Sequence, residues 1–120
     1  MASVKIMTEQ QIQNDIRREC NTGDARLWRN NIGTSITKRG VIHYGIPGKG
    51  GSDLIGFKTV TVTPAMIGQK LAIFAAVEVK SPTGRPSTEQ IAFIEYVRKC
   101  GGLAGIARSA DEANQILNTP

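Results

Sequence analysis

The residues with the most chemical potential in this chain are an aspartate, a glutamate and a lysine. Glu78-Val79-Lys80 closes a run that carries no charge from Leu71 onward. Residues two apart in an extended strand point to the same face, so Glu78 and Lys80 belong together. A carboxylate and an ammonium at the end of such a strand need each other, solvent or a metal ion. The simplest reading is a strand-end ion pair. Asp53 changes the weighting, because it follows a Gly-rich loop and begins the apolar stretch Leu54-Ile55. If that stretch pairs with the strand of Glu78, the two carboxylates lie side by side and repel unless a cation holds them. Hard oxygen ligands suit magnesium or manganese. Lys80 would then orient or activate a water, or neutralise charge on a phosphorane-like transition state.

These residues need a scaffold. Thr8 and Gln11 have capping-box spacing and open a helix. Ile12, Ile16 and Cys20 follow at four-residue intervals and predict one buried stripe. The helix should stop within 21–23, and 25–29 is a short strand candidate carrying Leu27 and Trp28. Trp28 reads as core rather than a stacking platform. Residues 30–52 are rich in Gly, Asn, Thr and basic residues, a loop with one or two short strands, one of them at 41–44. The segment Gly45-Ile46-Pro47-Gly48-Lys49-Gly50-Gly51 is neither helix nor central strand. It is not a nucleotide phosphate loop either, since His43 occupies the early Gly position and Gly50 follows Lys49. Strands are expected at 53–57, at 59–63 and at 70–79, with Val77 and Val79 pointing into the core. Residues 64–69 leave room for a β-hairpin. Ser87 with Gln90 and Ser109 with Glu112 open two further capped helices. Ile91, Ile94 and Val97 mark the apolar face of the first, which Gly101-Gly102 ends. A last strand covers 103–107. The order predicts a mixed α/β domain with a small sheet covered by helices.

The totals agree with one domain. The chain has 120 residues, 40% of them hydrophobic and 5% aromatic, so Ile, Val, Leu and Ala must build a modest core. No run reaches membrane-spanning length, and the N-terminus lacks an export-signal pattern, so a cytoplasmic product is expected. The formal charge of +5 favours a polyanionic partner. Cys20, Cys100 and His43 are too scattered for a zinc site, and the cysteines are expected to be half-buried thiols.

The ordered set Gly51-Ser52-Asp53, Glu78-Val79-Lys80 and Gln90 resembles the PD-(D/E)xK nuclease superfamily. More narrowly, the chain is similar to the stand-alone, phage-type VRR-NUC domains, related in site architecture to Holliday junction resolvases. The likeness spans about residues 9–107. It includes Trp28-Arg29-Asn30-Asn31-Ile32-Gly33, the Gly-rich approach to Asp53, the Ser87-to-Gln90 helix start and the Gly101-Gly102 pair. It implies a restriction-endonuclease-like core, a small central mixed β-sheet flanked by helices, in a single domain over 1–120. By the resemblance, Asp53 and Glu78 are metal ligands, with the Val79 carbonyl and a first-helix acid. That acid maps to Glu9, with Glu19 as competitor. Lys80 is the catalytic lysine, and Gln90 supports the site as well as its helix cap. Ser52 departs from the family, which commonly has Pro before the aspartate.

The resemblance therefore implies a metal-dependent DNA endonuclease using one or two Mg²⁺ or Mn²⁺ ions per site. A preference for branched or four-way-junction DNA and a homodimer follow by the same analogy. Arg29, Lys38, Arg39, Lys49 and Arg85 are the candidate phosphate contacts, each competing with an ordinary solvated surface charge. The rivals are a nonenzymatic DNA-binding or structural protein of a phage or mobile element, and a degenerate nuclease fold used in assembly.

Overall fold

A computed structural model of the chain describes residues 6–119. The chain divides into two compact units, the first ending at Val60 and the second beginning at Thr61.

The first unit opens with helix α1 (Glu9–Cys20). The expected capping box is complete: Gln11 N–H donates to Thr8 Oγ1 at 3.1 Å, and Thr8 N–H donates to Gln11 Oε1 at 2.8 Å. The expected buried stripe is not there, because Ile12, Ile16 and Cys20 are all exposed. The joint between α1 and the next strand is polar instead. Asn21 ends the helix, and its amide donates to Arg17 O at 2.9 Å and Leu27 O at 2.8 Å. Its Oδ1 accepts from Leu27 N–H at 2.9 Å, so the side chain serves strand β1 (Ala25–Arg29) as a false ladder rung. A hairpin follows, β2 (Gly33–Thr37) and β3 (Gly40–Tyr44), paired antiparallel. β4 (Leu54–Lys58) returns antiparallel to β1, with Arg29 opposite Leu54 and Ala25 opposite Lys58. The Trp28 and Phe57 rings meet there at 5.5 Å, so Trp28 is packed, as expected. The strand expected at 59–63 is absent. The ladder closes with Thr59 N–H donating to Asp24 O at 2.8 Å, beyond which β1 offers no further residues.

In the second unit, a single 3-10 turn at Pro64–Met66 replaces the hairpin for which 64–69 left room. β5 (Ala75–Val79) pairs parallel with β6 (Leu103–Ala107), and α2 (Thr88–Lys99) connects them. The strand expected over 70–79 is half that length, because β6 supplies only five rungs. α3 (Ala110–Leu117) closes the unit. Paired residues in a ladder share a face, so Ala76 with Ala104 and Glu78 with Ile106 face one side. The core forms on that side, from Ile94 and Val97 of α2 and Ala104, packed by Phe74, Ala76 and Ile106.

The opposite face corrects another expectation. Val79 is 74% exposed rather than in the core, and Val77 is half-buried. A Cβ on Gly105 would come within 2.8 Å of Ile116 Cδ1, so α3 seats closely over Gly105, while Val79 at the end of β5 stays open. Strands and helices thus form a small mixed α/β protein, the strands of the described residues lying in three two-stranded ladders, two antiparallel and one parallel. Among the described residues, no helix is long and apolar enough to cross a membrane.

Candidate active site

Glu78 is the last residue of β5 on the face turned toward α2. The apolar residues before it on that face, Phe74 and Ala76, are packed against the core. Its carboxylate therefore emerges where the core stops. Lys80 lies two residues on, as the strand period requires, and its Nζ is 3.6 Å from Glu78 Oε1. The side chains are 21% and 31% exposed for Lys80 and Glu78, so water reaches the pair without bathing it.

Gln90 completes this group. Ser87 caps α2 by accepting from Gln90 N–H at 3.1 Å, while Gln90 Oε1 accepts from Ser87 N–H at 2.8 Å. The amide's other end donates to Glu78 Oε1 at 2.8 Å. The cap bond to Ser87 and the bond to Glu78 are thus made by opposite ends of one side chain. The cap of α3 differs from expectation. Ser109 Oγ accepts from Glu112 N–H, but Glu112 reaches one residue past the cap and accepts from Arg108 N–H at 2.7 Å. That bond helps hold Arg108, whose guanidinium donates to Ser81 O at 2.5 Å and Gly84 O at 2.7 Å. Arg108 therefore fixes the turn leaving Lys80. Nothing in its sequence setting marked it, since its targets are carbonyls 24 and 27 residues away.

In the first unit, Asp53 is exposed immediately before β4. Its carbonyl accepts from Asn30 N–H at 2.8 Å, just past the Arg29–Leu54 rung. Arg29 and Asp53 are thus neighbours across the ladder's end. The Asn30 side chain ties both ends of the Gly-rich segment: its amide donates to Ile46 O at 2.7 Å and Ser52 O at 3.0 Å, and its Oδ1 accepts from Ile46 N–H at 3.0 Å. The ends come so close that a Cβ on Gly51 would collide with the Ile46 carbonyl. Asn30 lies within the segment 28–33 that carries the family likeness, but its positioning role was not foreseen. Its signal was residue type, since Asn readily bonds backbone in place of backbone.

The remaining candidates fall as follows. Glu9 is the exposed first residue of α1, and Glu19 is exposed in its last turn. Lys38 and Arg39 form the tip of the β2–β3 hairpin, and Lys49 is exposed in the Gly-rich segment. Arg85 is exposed in the stretch before the α2 cap. Cys20 is exposed and Cys100 half-buried, both free, so the half-buried expectation holds for Cys100 alone. His43 Nδ1 is 3.3 Å from Thr34 Oγ1.

Among the described residues, no group of three or more His, Cys, Asp or Glu side chains converges. Magnesium needs no such cage, since it binds through one or two carboxylates and keeps waters and substrate phosphates as its other ligands. The Glu78 donor chemistry fits that pattern. The amide and the ammonium both address Oε1, and Oε2 is a hard oxygen on a partly solvated carboxylate. Together these residues provide a fixed carboxylate, a cation beside it and an adjacent amide, which suits the binding of charge at a phosphodiester.

No curated protein and no solved structure matches the chain. The family model of the VRR-NUC domain matches residues 7–111, across both units and every candidate residue named above. The chain belongs to the VRR-NUC family, whose members are DNA-cleaving nucleases.

Proposed function

We propose that the chain is a Mg²⁺- or Mn²⁺-dependent endodeoxyribonuclease that hydrolyses phosphodiester bonds, with a preference for branched or four-way-junction DNA. The observation that carries this reading is the Glu78 carboxylate gripped by Lys80 and Gln90. By the family resemblance, Glu78, the Val79 carbonyl, Asp53 and Glu9 are the candidate ligands of the ion or ions. When bound, a divalent cation supplies Lewis-acid polarisation of the phosphate and makes water more acidic. Gln90 keeps the Glu78 carboxylate in one orientation, which spares the site reorganisation during the reaction. Lys80 orients the attacking water and offsets charge as it develops on the phosphate oxygens. Arg29, Lys38, Arg39, Lys49 and Arg85 contribute backbone contacts that position DNA without reading sequence. The expected products carry a 5′-phosphate and a 3′-hydroxyl. Two opposed cuts in one junction call for a homodimer with paired sites.

The test is cleavage of a labelled four-way junction and a linear duplex in Mg²⁺, Mn²⁺ or EDTA. Metal-dependent cutting of the junction is expected. Folded protein that cuts neither DNA with either metal refutes the reading, and binding without cutting would favour a nonenzymatic DNA-binding protein.

A further inference from the structure

Among the described residues, the β2–β3 hairpin packs against no other helix or strand of its own unit. Such a ribbon is marginal alone and has surface to offer. Its register sets the outermost rungs. Thr37 pairs with Gly40, enclosing Lys38 and Arg39 at the tip, and Ile36 pairs with Val41 one rung below. Ile36 is 86% exposed and Val41 56%. Partners across a rung share a face, so these two branched side chains form one apolar edge directly behind two cations. The surrounding charge is one-sided. From residue 25 to residue 52 the sequence has Arg26, Arg29, Lys38, Arg39 and Lys49 and no aspartate or glutamate. That balance attracts a polyanion and repels cationic partners.

We propose that the Ile36–Val41 rung is a wedge that enters the base stack at a DNA branch point, with Lys38 and Arg39 on the flanking phosphates. The proposal rests on the reading of the chain as a DNA-cleaving enzyme and adds the origin of its branch preference. Ile and Val have no group that can hydrogen-bond a base edge, so an apolar rung behind a basic tip gains most by covering base faces. In an unbroken duplex, that insertion must first unstack a base step. At a branch, base faces are already partly exposed, so the same wedge costs less. Asn30 ties the hairpin's base to Asp53 through Ile46 and Ser52, so the wedge also fixes where the strand lies relative to that carboxylate.

The test uses the whole chain in EDTA, with a four-way junction carrying 2-aminopurine at the branch and a duplex carrying it at mid-length. Wild-type protein should raise branch emission and prefer the junction. Ile36→Ser with Val41→Ser should abolish the rise and lower the junction-to-duplex affinity ratio about tenfold. Ile36→Leu with Val41→Leu should keep both, and Lys38→Ala with Arg39→Ala should weaken both DNAs alike. Wild-type binding with no rise at the branch overturns the wedge, whatever the variants do. So does a serine pair that retains the rise and the preference. A serine pair that instead turns a dimer into a monomer by light scattering overturns it too, making the rung an interface between copies. None of these readings needs cleavage, so failure of the wedge and failure of the nuclease reading are separate results.

Discussion

Replacing Gln90 separates its two functions. Gln90→Glu keeps an acceptor for Ser87 N–H, because glutamate is a normal partner in a capping box. It removes the donor to Glu78 and sets a second carboxylate where an amide now sits 2.8 Å from Oε1. A hydrogen bond to a charged group contributes about 1.5–3 kcal/mol, and partial exposure places this one near the lower end. Two like charges about 4 Å apart add roughly 1–4 kcal/mol of repulsion between the aqueous and near-surface limits. The expected loss for Gln90→Glu in EDTA is thus about 3 kcal/mol. Gln90→Ala loses the donor bond and the return bond of the cap, about 2 kcal/mol together. A cap-competent glutamate should therefore be worse than alanine. Adding Mg²⁺ should reverse that order, because a cation relieves a carboxylate pair and binds the native state only. Thermal melts across a Mg²⁺ series, with urea unfolding for free energies, give the comparison. If Gln90→Glu is as stable as wild type in EDTA, or gains no more from Mg²⁺ than wild type does, Gln90 is not what holds Glu78.

Three other outcomes are expected. Lys80→Ala should cost about 1 kcal/mol in urea unfolding, since a partly solvated pair at 3.6 Å is longer than a hydrogen bond and weak, yet lower junction cleavage at least ~100-fold. Glu9→Gln should raise the Mg²⁺ concentration needed for half-maximal cleavage, and Glu19→Gln should leave it unchanged; the reverse result would move the first-helix ligand to Glu19. Asn30→Ala loses three exposed side-chain bonds and should cost about 1–2 kcal/mol. Its amide hydrogen exchange should rise at 46–52 and spare β6, and uniform exchange across the chain would contradict a local clamp.

Sequence reasoning succeeded where the determining interaction is local. Thr8, Ser87 and Ser109 bond the amide three residues on, so the three helix starts are written in short spacings. Glu78 and Lys80 meet because a two-residue period requires it. It failed where the outcome depends on a partner's length or position. Residues 70–74 are as apolar as a strand, but β6 has only five residues to pair with. Val60 and Val62 alternate with threonines, but β1 ends opposite Lys58. The Ile12–Ile16 stripe has a helical period, yet an asparagine side chain makes the polar joint to β1. Alternation puts Val79 in the core, yet it is exposed at the strand end, past the point where Ile116 seats on Gly105. The candidate site divides the same way: Gln90 was visible from its spacing to Ser87, while Asn30 and Arg108 act on carbonyls remote in sequence.

The Asn30 clamp makes the Gly-rich segment a closed ring with a single fastening. Ile46 and Ser52 are joined to the same amide group, so residues 47–51 can change in number without altering the path by which the chain enters Asp53. Ring closure grows costly only slowly with added residues. This segment is accordingly a place where a peptide grafted clear of Lys49 leaves the approach to Asp53 in register. The tolerance ends at the fastening itself, where one amide keeps loop length and carboxylate position independent.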